Sequence, residues 1–201
     1  MSLIFNAITD PTFEAEDDET EHYSLDEWLN LNSFSARLLG AGLVGWVNFA
    51  IWQLRHGLEE EMSPGPSTDN RVAVASEWVI QSGPDLLRRC LLSSVLDEAE
   101  TRSYSAGALY AGRPGLCLER WGFWERRLGE IRGKVGESAM RSVDEAVESM
   151  TAAEMALARV LLSIFDTPSR GRGMARAGSS PVEDRAGLQP VVVPEVVLKP
   201  V

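Results

Sequence analysis

Residues 24–61 read SLDEWLNLNSFSARLLGAGLVGWVNFAIWQLRHGLEEE, and this stretch decides the fold. Its opening S-L-D-E is a capping-box pattern, in which the Ser24 hydroxyl accepts an unpaired N–H at the helix start and Glu27 accepts the N–H of Ser24. Apolar residues then recur at helical spacing. Closely spaced glycines follow, and each costs a helix about 1 kcal/mol relative to alanine. We therefore expect a break or sharp kink near Gly40 and a second helix from about residue 43 to residue 61.

The same stretch contains an apolar run without charge, residues 38–54. The run is shorter than the roughly 20 apolar residues that a spanning helix needs, and glycines interrupt it. We therefore expect buried core helices and no membrane span. Membrane association through residues 38–54 is the alternative.

Length and charge restrict the class of protein. A chain of 201 residues suits one domain with terminal tails, and hydrophobic and charged fractions of 44% and 24% are ordinary for a globular protein. The net charge of −11 disfavours binding to a polyanion, because affinity for nucleic acid depends on Lys and Arg neutralising phosphates. No nucleic-acid partner is expected.

Further helices are predicted by apolar residues at three-to-four spacing, at about residues 71–81, 84–99, 116–134 and 137–165. Prolines and glycines predict loops at residues 62–70 and 101–115. Pro84 is expected to start a helix, because proline fits a first helical turn. Residues 151–154 form a second capping-box pattern, so the last helix is either continuous or divided there.

These elements predict an all-α fold, an irregular bundle of about six helices. Residues 24–166 form the domain, between an acidic, flexible segment (residues 1–23) and a disordered Gly/Pro/Arg-containing tail (residues 167–201). Large aromatic side chains bury roughly 150–250 Å² each and can anchor a small core. The expected anchors are Trp28, Trp46, Trp52, Trp78, Trp121 and Trp124.

Three segments of the chain resemble a known family. The first is EWLNLNSFSARLLGAG with NFAIWQLRHGLEEE, the second VAVASEWVIQSG and the third LYAGRPGLCLERWGFWERRL; together they span about residues 25–131. They resemble the fungal family catalogued as domain of unknown function 3632. The resemblance implies a fungal origin, a mostly helical domain and no established activity, and it assigns no catalytic residue.

The third segment mixes charge and indole in ERWGFWERR. A guanidinium such as that of Arg120 can bind a carboxylate or phosphate through two parallel hydrogen bonds, and indole rings can form the floor of a pocket. The alternative is that the indoles lie in the core while the charges face solvent. The candidate ligand-pocket residues are Glu119, Arg120, Trp121, Trp124, Arg37 and Asn48.

No motif in the sequence is typical of a catalytic or metal site. His56 stands in no recognisable relation to a nucleophile or carboxylate, and with His22 it gives no metal-ligand spacing. The glycine-rich residues 107–115 lack the GK[ST] of a P-loop. We expect no metal and no cofactor. Whether the protein is an enzyme stays open, with the balance against it.

Cys90 and Cys117 lie far apart without a CxxC motif, and the N-terminal sequence lacks a signal-peptide pattern. Both observations favour a reducing compartment, the cytoplasm or nucleus. The favoured function is a non-enzymatic intracellular interaction or accessory protein, with protein partners or as a homo-oligomer. The alternative is a small-molecule-binding protein or an enzyme without recognisable motifs, in fungal secondary metabolism.

Overall fold

The computed structural model describes residues 24–165. No strand occurs in this part of the chain, and the prediction of an all-α bundle of about six helices is confirmed. A π-helical turn, Arg55–Glu59, extends the second helix, and a 3-10 turn, Arg132–Lys134, follows the fifth. The predictions for the terminal segments, residues 1–23 and 167–201, lie outside the described residues. The helices are α1 (Leu25–Gly40), α2 (Val47–Leu54), α3 (Pro66–Leu92), α4 (Glu98–Ser103), α5 (Leu118–Ile131) and α6 (Glu137–Phe165).

Helix α1 begins and ends where its sequence predicts. The Ser24 hydroxyl accepts the N–H of Glu27 at 3.3 Å, and the Glu27 carboxylate accepts the N–H of Ser24 at 2.9 Å. At the other end, a Cβ atom on Gly40 would lie 2.2 Å from the carbonyl oxygen of Gln81 in α3. Gly42 then adopts a positive φ of 71°, which favours glycine. The chain therefore breaks here, and α2 starts at Val47 instead of near residue 43.

The charge-free run at residues 38–54 is thus divided between α1, a loop and α2. Among residues 24–165, no helix combines the length and the apolar character that crossing a membrane requires.

Helix α3 corrects the prediction of two helices separated at Pro84. It also begins at Pro66, inside the predicted loop, and runs without a break to Leu92. An internal proline costs a helix about 3 kcal/mol. Burying one Val or Leu side chain gains roughly 1.5–3 kcal/mol, and α3 buries several, so tertiary packing outweighs the local penalty. The Ser82 hydroxyl also donates to the Trp78 carbonyl at 2.6 Å beside the proline.

Helix α3 is the centre of the bundle and contacts α1, α2, α5 and α6. It runs parallel to α6. The Asp69 carboxylate near its start accepts the N–H of Gly136 before α6, and further along Ser149 of α6 donates to the Val79 carbonyl. The predicted tryptophan-containing core is confirmed. Four indoles are buried (Trp28, Trp78, Trp121 and Trp124), and two are half-buried (Trp46 and Trp52).

The segment after α3 also differs from the prediction. The helix expected to reach residue 99 ends at Leu92, and Ser93 takes a left-handed conformation with φ 35°. A new capping box, between Asp97 and Glu100, starts the short helix α4 within the region predicted as helix end and loop. By contrast, α6 is continuous across residues 151–154, because the Thr151 hydroxyl bonds back to the Val147 carbonyl instead of capping a new helix.

Candidate functional site

A carboxylate is buried at the end of α2. The π-helical turn Arg55–Glu59 places Glu59 in the interior, where its side chain has no exposed area. Turns of this kind are rare and frequently occur at functional sites. Gly57 permits the turn to approach α3, because a Cβ atom there would lie 2.5 Å from the carbonyl oxygen of Arg71. A buried carboxylate is stable only when it is paired, so Glu59 requires a cationic partner.

Arg120, in the first turn of α5, is that partner. Its Nε donates to Oε1 of Glu59 at 2.6 Å, and its Nη2 donates to Oε2 at 3.0 Å. Both side chains are 0% exposed. Bidentate charge-assisted hydrogen bonds of this geometry are among the strongest in proteins. They offset the cost of removing both ions from water, provided that the remaining donors also find partners.

The remaining N–H groups of Arg120 bind the loop between α4 and α5. Nη1 donates to the carbonyls of Tyr104 at 2.9 Å and Gly115 at 3.2 Å, and Nη2 donates to the carbonyl of Ser105 at 3.0 Å. A guanidinium has five N–H donors, and all five are therefore used. One side chain fixes both ends of this glycine-rich loop.

The carboxylate of Glu59 has two further donors. Trp124 Nε1 donates to Oε1 at 2.7 Å, and the N–H of Gly107 donates to Oε2 at 2.8 Å. Glycine is required at position 107, because a Cβ atom there would lie 2.7 Å from that of Glu59. The guanidinium of Arg120 also lies 5.5 Å from the ring centroid of Trp124, a cation–π distance. Glu59, Arg120 and Trp124 are called the ion-pair cluster below.

The ion-pair cluster is closed to water. Its three side chains have no exposed area, and every guanidinium N–H and both carboxylate oxygens are bonded within the protein. General acid–base chemistry requires a group within reach of a substrate. The arrangement is instead suited to joining α2, α5 and the loop between α4 and α5.

Two of the six predicted pocket residues, Arg120 and Trp124, are thus brought together. Trp121 points elsewhere: its Nε1 donates to the Glu154 carboxylate of α6 at 2.7 Å. This bond joins α5 to α6. The indoles of Trp121 and Trp124 both pack in the core.

The other three predicted pocket residues have separate surroundings. Glu119 is exposed and lies 3.8 Å from Arg113. Arg37, on the exposed side of α1, donates to the carbonyl of Ser33, and Asn48 is half-buried at the start of α2. Within residues 24–165, no hydrogen bond or ion pair joins any of these three to Arg120. The predicted ligand pocket stays a prediction, and Arg120 has no N–H left to offer to it.

The role of Glu59 was not predicted from the sequence. It is the first of three consecutive glutamates, which suggest a solvated helix end. A signal that could have pointed to it is Gly57, an isolated glycine within the helix predicted for about residues 43–61, because such a glycine often has a packing reason.

Both cysteines are buried and form no disulfide. Burial, with a smaller contribution from Cys117, raises the pKa of Cys90 to about 12. The Tyr110 hydroxyl lies 3.4 Å from the Cys117 sulfur, and burial followed by this contact raises the pKa of Tyr110. The thiol of Cys90 is therefore protonated at neutral pH and is a poor nucleophile.

We expect neither Cys90 nor Cys117 to react with a thiol reagent at neutral pH in the native protein, whereas both react after unfolding. The raised pKa of Cys90 also predicts that the free energy of unfolding depends on pH. An unfolded cysteine loses its proton near pH 8.5, so the stabilisation that Cys90 contributes is fully present below this pH. It is lost as pH rises towards about 12. The absorbance of the group released from the reagent measures the reactivity of the thiols. Denaturant titration above and below pH 8.5 measures the pH dependence of stability. Rapid labelling of the native chain would contradict the buried placement.

Within residues 24–165, no three His, Cys, Asp or Glu side chains form a group that could hold a metal ion. His56 lies half-buried in the π-helical turn beside Gly57.

The second half of α6 is apolar and exposed. Four large apolar side chains there are exposed to solvent: Met155 to 57%, Val160 to 56%, Leu161 to 45% and Leu162 to 68%. Three of these are consecutive, and successive helical residues point about 100° apart, so apolar surface covers several sides of the helix. A helix that is apolar all round is normally buried. This end of α6 is therefore a candidate contact surface.

A continuous row of exposed residues runs along α6, on the side opposite the buried Val143, Ala146 and Met150. Successive members of the row lie four or three residues apart along the chain, so they share one face of the helix. Its four charged side chains have no hydrogen bond or ion pair with any residue in 24–165. The row is called the outer stripe and consists of Arg141, Glu145, Glu148, Ala152, Met155, Arg159 and Leu162.

These features define a class of protein, an all-α domain held together by a closed internal ion pair. The chain belongs to the family described as "Protein of unknown function (DUF3632)", whose model matches residues 3–128. The match covers more than half of the 201 residues and ends within α5, before α6. The resemblance found in the sequence is confirmed, while the fungal origin stays a prediction. No curated protein and no solved structure matches the chain.

Proposed function

We propose that the protein is a non-enzymatic interaction protein of the cell interior, and that its partner is a second copy of the same chain. The observation that carries the proposal is the exposed apolar surface of the outer stripe. Its two large apolar side chains, Met155 and Leu162, are 57% and 68% exposed. Contiguous exposed apolar surface of this kind marks contact surfaces.

The outer stripe is complementary to itself. When two copies of α6 pack antiparallel about a two-fold axis at Ala152, residues equally far from this position meet. Arg159 and Glu145 each lie seven residues from Ala152, so the two pair twice across the axis. A two-fold interface uses the same patch on both subunits, and each contact therefore occurs twice.

The remaining members of the outer stripe fit the same arrangement. Met155 lies beside the stem of Glu148, and Leu162 beside the stem of Arg141. Long charged side chains can cover apolar surface with their methylene groups while their charges stay in water. The small side chain of Ala152 at the axis permits close approach of the helices, whose separation depends on the side chains at the contact.

Charge favours a second copy over a different partner. The whole chain carries a net charge of −11, which generally opposes self-association. The outer stripe, however, has two arginines and two glutamates and is locally neutral. An anionic membrane or nucleic acid requires a basic surface, which the stripe does not offer.

We expect wild-type protein to have twice the chain mass of 22.1 kDa in light scattering after size exclusion, and Leu162→Arg to have the mass of one chain. An arginine at this position places a like charge beside Arg141 of the second copy. Leu43→Arg is the matched control, since Leu43 is 72% exposed and lies in the loop after α1. This control should stay dimeric.

Charge exchange tests the antiparallel register. Arg159→Glu and Glu145→Arg should each weaken the dimer by placing like charges together. The double variant should recover most of the loss, because the two charges are exchanged and still attract. A monomeric wild type, or a double variant weaker than both single variants, contradicts the proposal.

A further inference from the structure

A cavity of about 370 Å³ lies where the end of α3, the start of α2 and helix α4 meet. This volume is within the usual range for small-molecule sites, roughly 300–1,000 Å³. Part of its wall is apolar and comes from four different segments. These side chains are Val47, Leu92, Leu96 and Leu116.

Two arginines form the cationic part of the wall. Arg88 and Arg89 each donate one N–H to the Asp85 carboxylate, both at 2.5 Å. Neither side chain makes another hydrogen bond within residues 24–165. Four of the five N–H donors on each guanidinium are therefore unpaired. Burial raises the pKa of Asp85, but the two arginines outweigh it and hold the pKa below its usual value. Two guanidinium groups thus share one carboxylate.

Tyr104 and Glu100 complete the polar part of the wall. The Tyr104 hydroxyl has no hydrogen bond within the described residues, and burial raises its pKa, so it stays a donor. The Glu100 carboxylate already accepts the N–H of Asp97 at 3.0 Å in the capping box of α4. The Tyr104 carbonyl is bonded to Arg120, and the ion-pair cluster therefore fixes this wall.

The backbone at the rim of the cavity is strained. Ser93, between Leu92 and the cavity-lining Ser94, has φ 35°, which is uncommon for a residue other than glycine. Such conformations are energetically unfavourable and occur preferentially at ligand sites.

From these observations we infer that the cavity binds a small organic carboxylate with an apolar body. The carboxylate accepts from Arg88, Arg89 and the Tyr104 hydroxyl, and the apolar body lies against Leu92, Leu96 and Leu116. Hydrogen bonds to charged groups are stronger than those between neutral groups, so the charge of the carboxylate decides affinity. The inference does not depend on dimerisation through α6.

The test is isothermal titration calorimetry of the full chain with decanoate, which has both required parts. Decanol has the apolar body without the charge, and acetate has the charge without the body. We expect decanoate to bind, and decanol and acetate to bind at least about tenfold more weakly, the factor that about 1.4 kcal/mol produces. Decanol binding as tightly as decanoate would overturn the inference, and so would the absence of decanoate binding.

Two variants place the ligand in this cavity. Arg89→Gln should weaken decanoate binding at least about tenfold, whereas Arg102→Gln, at an exposed arginine paired with Glu98, should not change it. Tyr104→Phe keeps both arginines and the aromatic ring and removes only the hydroxyl donor, and it should weaken decanoate binding several-fold. Unchanged binding in Arg89→Gln contradicts the inference, and unchanged binding in Leu162→Arg shows that it stands apart from dimerisation.

Discussion

Replacing Arg120 with methionine is expected to lower the free energy of unfolding by about 3–5 kcal/mol, the usual cost of leaving one partner of a buried ion pair alone. Glu59 would then be a carboxylate with no exposed area and no counter-charge. The carbonyls of Tyr104, Ser105 and Gly115 would lose their donor at the same time. Urea denaturation followed by tryptophan fluorescence measures the difference.

The control for this prediction is Arg102→Met. Arg102 also pairs with a glutamate, Glu98, at 2.6 Å, but both side chains are mostly exposed. Surface pairs contribute only about 0–1 kcal/mol, so the control should change stability little. The double variant Glu59→Leu with Arg120→Met should be less destabilised than Arg120→Met alone, because it buries no unpaired charge. Equal stability of Arg120→Met and Arg102→Met would show that the ion-pair cluster is not structural.

Trp78→Ala is expected to destabilise the protein by about 3–5 kcal/mol, the usual cost of truncating a large buried aromatic side chain. Trp78 lies in the middle of α3 with no exposed area. Its Nε1 donates to Oδ1 of Asn32 at 2.9 Å, and Asn32 in turn donates to the Trp28 carbonyl at 3.0 Å. Truncation therefore opens a cavity and also leaves a buried amide oxygen without its donor. Thermal and urea unfolding measure the loss.

Trp78→Phe separates these two causes. It keeps most of the ring volume and removes the N–H, so the smaller loss, about 1–3 kcal/mol, reports the unpaired Asn32 oxygen. If Trp78→Ala unfolds at the same denaturant concentration as the wild type, the central position of α3 in the core is contradicted.

The sequence predicted those features of the fold that depend on a few neighbouring residues, such as helix starts and helix breaks. The capping box at Ser24 depends on residues close together in the chain, and the break after Gly40 depends on the backbone freedom of Gly42. The helical spacing of apolar residues likewise predicted the all-α class and most of the tryptophan core. Each of these signals is contained within a few consecutive residues, which explains why the sequence alone sufficed.

Features set by distant contacts were not predictable in this way. Pro84 lies inside α3 because packing on several helices outweighs the proline penalty, and that packing is spread over the whole chain. Glu59 reaches Arg120, 61 positions further along the chain, through a π-helical turn that has no distinctive sequence pattern. The cavity beside Arg88 and Arg89 likewise combines four separate segments. Chemistry formed by such segments becomes visible only in the folded chain.

The central claim, that two copies pair through α6 about Ala152, is tested most directly by cysteine cross-linking. A disulfide requires Cα atoms about 4.4–6.8 Å apart, and only residues close to the two-fold axis meet this requirement. Both native cysteines are buried and should not compete. The measurement is the fraction of Ala152→Cys that runs as a reducible dimer after mild oxidation, with Leu43→Cys as control. We predict that Ala152→Cys cross-links almost completely and Leu43→Cys does not. Equal, low cross-linking of both variants would contradict the account.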